Sequence, residues 1–305
     1  MEALIAIGAK VVLAGALGFV LRRRGVISAQ FAEDLGKLLV DVIAPFAILM
    51  AAAHPYTPAM ARSLGTAVLI AVAYFPLAIL TSWLVARALP VDRDTRHAFV
   101  NLVVFPNCIF VGLPIITELY GAPGVLCVVV ITLVWNLVFF TFGERNLGSG
   151  RISPLSLVKS PNIIACVLAV AWFFSRVDLP VALTGALGMM GAAMAPLAMM
   201  VVGFGLADSG LADLIKNPAG YIANFLRLLV WPVAILAVAR LCGLDPLASD
   251  VAAVLFGLPC GTMTVLLAAQ HRRAYQFSAQ TVVQSNALMF ATLPVVFWLI
   301  QVWPA

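Results

Sequence analysis

Charge is what this sequence has least of. Asp, Glu, Lys and Arg make up 10% of its 305 residues, where soluble domains carry about 25%. The net charge of +5 and pI near 9.1 do not point to nucleic acid, because the basic residues are dispersed between apolar blocks instead of gathered on one stripe. Histidine is nearly absent: His54, His97 and His271 all fall at loops or at the ends of apolar runs. The five cysteines, Cys108, Cys127, Cys166, Cys242 and Cys260, make no metal-ligand spacing and read as small buried side chains. HExxH, GxSxG and Walker A patterns are missing, which removes the metallohydrolase, serine-hydrolase and ATP-driven readings. The chain is therefore expected to be no enzyme and to need neither a metal nor an organic cofactor.

What the sequence has in quantity is hydrocarbon: 63% hydrophobic residues and a mean hydropathy of +1.08. A bilayer core about 30 Å thick takes roughly 20 apolar residues per helix. Ten apolar runs are present, near 3–21, 38–53, 64–89, 98–118, 122–142, 161–175, 181–206, 219–242, 249–269 and 277–303. This predicts an all-α polytopic membrane protein with ten transmembrane helices. Arg22, Arg23 and Arg24 follow the first run instead of preceding it, so that run reads as a retained span and not a cleaved leader. Of the 18 basic residues, 13 fall in odd-numbered loops and 3 in even ones; positive loops stay in the cytoplasm, so both termini are expected outside. A bacterial inner membrane is the expected location. The polar stretch 143–160 reads as a cytoplasmic linker between a first five-helix repeat, 1–142, and a second, 161–305.

The halves repeat each other. VIAPFAILM around Pro45 matches AAMAPLAMM around Pro196, YFPLAIL around Pro76 matches VWPVAIL around Pro232, and VVFPNCIFVGLP matches LFGLPCGTMTV. With five spans per half, the second half enters the membrane in the opposite sense, which is the inverted repeat of many secondary transporters. The fourth and ninth spans carry the chemistry. In Pro106-Asn107-Cys108-Ile109-Phe110-Val111-Gly112-Leu113-Pro114, two prolines bracket an amide and a glycine, and Gly257-Leu258-Pro259-Cys260-Gly261-Thr262-Met263-Thr264 supplies the same ingredients. Each proline removes a helical hydrogen bond. The freed groups must face protein or a water-filled cavity, since lipid cannot satisfy them. Either these are kinks in packed helices, or they are two broken helices whose N-terminal ends, each about +0.5 charge, face one anion site.

Among other polar residues inside the runs, Asn136 and Asn286 stand at similar places in the two halves, as a site-lining pair or as interhelical hydrogen bonds. Asn101 and Gln284 are open to the same two readings, with ion coupling a further role. Lys10 and Asp41 are intramembrane ionisable residues; they form a structural pair or take part in proton coupling. Arg227 stands about 10 Å of helical rise from the cytoplasmic end of its span, within reach of the interface by snorkelling. Glu118 closes the fourth span at the outer face.

The run NCIFVGLPIITELYG, with Asn107, Gly112, Pro114, Tyr120 and Gly121 in the pattern N-x-x-x-x-G-x-P…Y-G, resembles the auxin efflux carrier family, which includes plant auxin carriers and bacterial members associated with malonate or malate. GLPCGTMTVLLAAQ and ATLP at Ala291 to Pro294 extend the resemblance over nearly the whole chain. It implies two inverted bundles of five with broken crossover helices in spans 4 and 9, similar to bile-acid symporters and sodium/proton antiporters. It also implies a scaffold of spans 1, 2, 6 and 7, a mobile unit of spans 3–5 and 8–10, and an organic-anion substrate. Asn107, Gly112 and Pro114 would form the first crossover and Pro259 the second. Met263 stands where family members often carry an amide, and His271-Arg272-Arg273 replaces a glycine-containing turn. The resulting expectation is a secondary active carrier, of elevator type, for a mono- or dicarboxylate. Coupling to H+ or Na+ and a homodimer through the scaffold helices are left open. The alternative is a membrane receptor that binds a similar ligand without moving it.

Overall fold

The computed structural model describes residues 2–148, 160–208 and 217–303. Most of the segment expected to link the halves, residues 149–159, lies outside the described residues.

In the first half, α1 (Glu2–Arg23) is followed by α2 (Ala29–Leu38), α3 (Ala44–Ala51), α4 (Pro58–Ala88), α5 (Arg93–Val104), α6 (Leu113–Val138) and the short α7 (Glu144–Leu147). The second half runs α8 (Pro161–Ser175), α9 (Val181–Ala192), α10 (Met194–Asp208), α11 (Pro218–Phe225), α12 (Trp231–Leu241), α13 (Pro246–Phe256), α14 (Thr262–His271) and α15 (Tyr275–Val302). The described residues contain no strand, only an isolated antiparallel bridge between Pro106 and Cys260.

The prolines explain where the helices widen. Five-residue π-turns at Leu39–Ile43, Cys108–Gly112 and Leu226–Val230 each end one residue before an X-Pro pair, Ala44-Pro45, Leu113-Pro114 and Trp231-Pro232. Proline has no N–H and its ring crowds the preceding turn. The residue before it therefore reaches one carbonyl further back, as Leu113 N does to Cys108 O. A fourth π-turn, Phe139–Gly143, has no proline behind it and we have no physical account of it. Gly121, at φ 58 and ψ −152, makes a kink inside α6 that divides it into two helices, a conformation that a residue with a Cβ adopts only under strain.

Five helical stretches, some of them kinked, are long and apolar enough to cross a membrane: Pro58–Ala88, Cys108–Leu147, Val181–Asp208, Pro218–Leu241 and Tyr275–Val302. The segments at Pro161–Ser175 and Pro246–Phe256 are apolar but shorter. At about 1.5 Å of rise per residue, α5 and α13 reach roughly half the thickness of a bilayer core, because each stops at a break.

α1 and α10 cross with backbones nearly touching. A Cβ on Gly203 would sit 2.0 Å from Gly15 O, and one on Gly18 would sit 2.3 Å from Met200 O, so this crossing depends on small residues as membrane helix contacts commonly do. α3 packs on α8 and α9, while α4, α6 and α13 pack on one another at the centre. Leu69, Val72, Leu77, Leu80 and Leu84 stand exposed along α4, an outward apolar surface suited to lipid and costly in water.

Candidate functional site

The two breaks repair each other. α5 stops at Val104, and Phe105 (φ −105, ψ 106) turns the chain into an extended conformation. α13 stops at Phe256, and the chain stays non-helical to Gly261 (φ −69, ψ 131). Where these stretches pass, Asn107 N donates to Pro259 O at 3.0 Å and Gly261 N donates to Phe105 O at 2.9 Å. Buried backbone groups demand such partners. Glycine is needed for the approach: a Cβ on Gly261 would lie 3.1 Å from Phe105 O and 3.2 Å from Pro106 O, and one on Gly112 would lie 2.6 Å from Leu255 Cδ1. Pro106, Asn107, Cys108, Gly112, Pro114, Pro259, Cys260 and Gly261 are all buried, and Thr262 is half-buried.

Beyond each break a helix begins. Asn107 caps the turn that follows it, its Oδ1 accepting from Phe110 N at 3.2 Å, while Gly261 opens α14 with no side-chain cap. Asn107 is 7% exposed, and among the described residues its Nδ2 donates to nothing. The Cys260 amide donates to Ser285 Oγ at 3.1 Å and its thiol meets Asn224 Oδ1 at 3.5 Å. A polar track leads on from there. Asn224 Nδ2 donates to Thr281 O, and Asn217 Nδ2 donates to Thr281 Oγ1 at 2.9 Å. Asn217 also lines a cavity of about 510 Å³ together with Thr95, Ala274, Tyr275, Gln276, Phe277 and Gln280.

Before each break a helix ends, and there the structure corrects the sequence reading of Arg227. It does not snorkel: its side chain is fully buried. Arg227 Nε donates to Leu258 O at 2.9 Å, and Nη1 donates to Tyr74 Oη at 3.2 Å and to Val103 O. The Tyr74 hydroxyl is shared between Val103 O at 3.3 Å and Val104 O at 3.1 Å. The Tyr74 ring stacks on Phe256, centroids 3.8 Å apart, and meets Trp231 edge-on at 4.9 Å. Counting depth along one helix could not show acceptors contributed by two others. A lone arginine among apolar residues, in a chain whose prolines free carbonyls elsewhere, was the available signal.

Lys10 and Asp41 do not pair. Lys10 Nζ lies 2.9 Å from Glu118 Oε2, and Asp41, exposed on its π-turn, makes no ion pair among the described residues. Asn101 is tied elsewhere: its Nδ2 donates to Gly143 O at 2.9 Å and its Oδ1 accepts from Asn146 at 2.8 Å. His97 joins the same group, 2.7 Å from Asn146 Oδ1. Asn136 donates to Thr132 O in its own helix at 2.8 Å, and Gln284 Nε2 approaches Asn217 O at 3.5 Å. Among the described residues, Asn286 Oδ1 is buried without a partner, as are Thr132 Oγ1, Trp135 Nε1 and Thr264 Oγ1. No hydrogen bond among the described residues joins Asn136 or Asn286 to either break. Trp135, which packs edge-on against Phe105 with centroids 5.6 Å apart, does reach the first break and was not singled out in the sequence.

A family profile described as "Membrane transport protein" matches residues 4–148 and 144–299. The chain belongs to that family, the one that includes the auxin efflux carriers. A curated relative from Methanothermobacter thermautotrophicus, described as an uncharacterized transporter, is 22% identical over 286 residues, covering 91% of this chain and 92% of its own. This family member is thus an integral membrane protein of transporter type, and its arginine-capped breaks can be read in that setting.

Proposed function

We propose that this family member is a secondary transporter that moves a small organic anion, a mono- or dicarboxylate, by alternating access. The observation that carries the reading is the pair of helix breaks lying back to back, each followed by a helix N-terminus. Such N-termini carry about half a positive charge each and present free N–H groups. A carboxylate fits them as it fits other helix-terminus anion sites. Asn107 Nδ2 is the side-chain donor at the centre, and Pro106, Gly112, Pro114, Pro259, Cys260, Gly261 and Thr262 shape the backbone around it. Asn136, Asn286 and Trp135 complete the wall on the substrate side.

In this reading the breaks are crossovers near the bilayer middle, within ten spans arranged as two inverted repeats. The tight α1–α10 crossing and the α3, α8 and α9 contacts belong to a scaffold that also forms the dimer, and the helices carrying the breaks move against it as an elevator. The chain sits in a bacterial inner membrane with both termini outside.

The test is reconstitution in liposomes with radiolabelled malonate, malate, benzoate and indole-3-acetate. The expected result is saturable uptake of at least one of them. Uptake of none overturns the carboxylate reading, and saturable binding without uptake supports a receptor instead.

A further inference from the structure

Among the described residues Arg227 is the one charged side chain in the buried interior, and no carboxylate lies within ion-pair distance of it. A buried charge without a counter-charge is strongly unfavourable unless something else compensates it. Its hydrogen bonds show what does. Val103 O is in the last turn of α5, and Leu258 O lies just past the end of α13. The C-terminal end of a helix carries about half a negative charge, so two such ends offer roughly one charge, the amount a guanidinium balances.

We infer that Arg227 is a tethered cation filling a cation site made by the C-terminal ends of α5 and α13. In transporters with broken helices, such carbonyls and helix ends are where a coupling cation is held. Here the chain supplies its own occupant. The guanidinium is fully buried; the Tyr74 hydroxyl, on a ring packed against Phe256 and Trp231, bridges it to the Val104 carbonyl. Arg227 spends three of its five donors, and among the described residues Nη2 is buried without a partner. The repeat supplies one such cation for both ends: five residues before Pro232 stands Arg227, and five before Pro76 stands Ala71.

The cation site stands on this geometry alone; only its consequence rests on the proposed function. That consequence is a substrate unit that carries a fixed positive charge and needs no metal cation at the helix ends. The anion then faces the two helix N-termini, whose field is no longer opposed by uncompensated carbonyl ends.

The test uses the full chain in detergent and no carboxylate, so its failure is distinct from failure of the transport reading. Melting temperature is measured for wild type, Arg227→Lys, Arg227→Met and Arg227→Ala in choline, sodium and potassium chloride. The Ala variant is also measured with guanidinium chloride or urea at about 10 mM, too dilute to denature but enough to fill a millimolar site by mass action. The expected order is wild type above Lys above Met and Ala. Guanidinium should recover at least half of the shift lost in the Ala variant, and urea should recover none. Wild type should melt at the same temperature in all three salts. Three results overturn the inference: a Met variant as stable as wild type, an Ala variant that guanidinium does not rescue, or a wild type stabilised by sodium or potassium over choline. The last keeps the inference falsifiable should the variants fail to fold.

Discussion

The two breaks share a backbone and differ in side chains. At Phe105–Asn107 the chain leaves its helix, lends a carbonyl to Gly261 and an amide to Pro259, and restarts under the cap of Asn107. At Gly257–Gly261 it does the same with no cap, and its one polar side chain, the Cys260 thiol, is turned toward Asn224. The helices behind the breaks diverge in the same way, with Tyr74 and Ala71 on α4 and Arg227 in the turn between α11 and α12. The first break therefore brings a neutral hydrogen-bonding amide, and the second half brings a fixed charge. Repetition secures the geometry, and departure from repetition supplies the chemistry. An anion site made by two identical breaks would have no reason to prefer one orientation of its ligand; one made by unlike breaks does.

Substitutions at matched places can break or sharpen this contrast. The largest effect is expected at Asn107→Ala. Losing a hydrogen bond to a charged ligand costs about 1.5–3 kcal/mol, or roughly ten- to a hundredfold in affinity, while Cys260→Ala should change affinity less than about threefold, a thiol being a weak donor. Isothermal titration with the bound carboxylate measures both. Equal losses at the two positions would end the asymmetry, and unchanged affinity in a folded Asn107→Ala protein would remove the residue from the site.

Next comes Gly261→Ala, which sets a methyl 3.1 Å from the Phe105 carbonyl. Overpacking of this kind costs about 1–3 kcal/mol. Gly112→Ala meets the end of a leucine side chain instead of backbone, and should cost less. Thermal unfolding of the two variants side by side tests the ranking, and a Gly261→Ala melting temperature equal to wild type would show that the contact between the breaks is loose.

The N-terminal caps on the helices leading into the breaks are expected to matter less. Asp92 accepts from Thr95 N at 3.0 Å and Asp245 from Ala248 N at 2.9 Å, at the starts of α5 and α13. Replacing either by Ala should cost about 0.5–2 kcal/mol, with similar values at the two sites. The Asp92 carboxyl is held below its ordinary range by the Thr95 hydroxyl and amide. A folded pKa below the unfolded one contributes stability above the unfolded value, and that part is lost as pH falls through the folded value. The melting difference between wild type and Asp92→Ala should accordingly shrink in acid.

The smallest effect is at Lys10, whose pairing with Glu118 is exposed. Lys10→Gln should change stability by less than about 1 kcal/mol and leave uptake unchanged. A proton-coupling role would instead abolish the pH dependence of uptake.

How much of this was legible beforehand depended on where each partner lies in the chain. Breaks within Pro106–Pro114 and Gly257–Thr264 were readable because proline and glycine act locally, by removing a donor or permitting an approach, although the second helix already restarts at Thr262. The destination of Arg227 was not, since its acceptors Val103 and Leu258 come from segments 124 and 31 residues away. The Lys10 partner was misjudged likewise: Asp41 was near in sequence, but Glu118, 108 residues on, is the residue that meets it. Asn101 was open to an interhelical hydrogen bond or to a coupling role, and it makes the former, committed to Asn146 and Gly143 where α7 closes on α5.

The central claim, that unlike breaks hold and move a carboxylate, is tested most directly by solute counterflow. Liposomes containing the protein are loaded with an excess of the unlabelled carboxylate found to bind and diluted into a trace of the labelled form. The account expects a transient accumulation of label above equilibrium for wild type and a strongly reduced overshoot for Asn107→Ala at the same protein content. Label that binds the wild-type protein but never accumulates inside would contradict it.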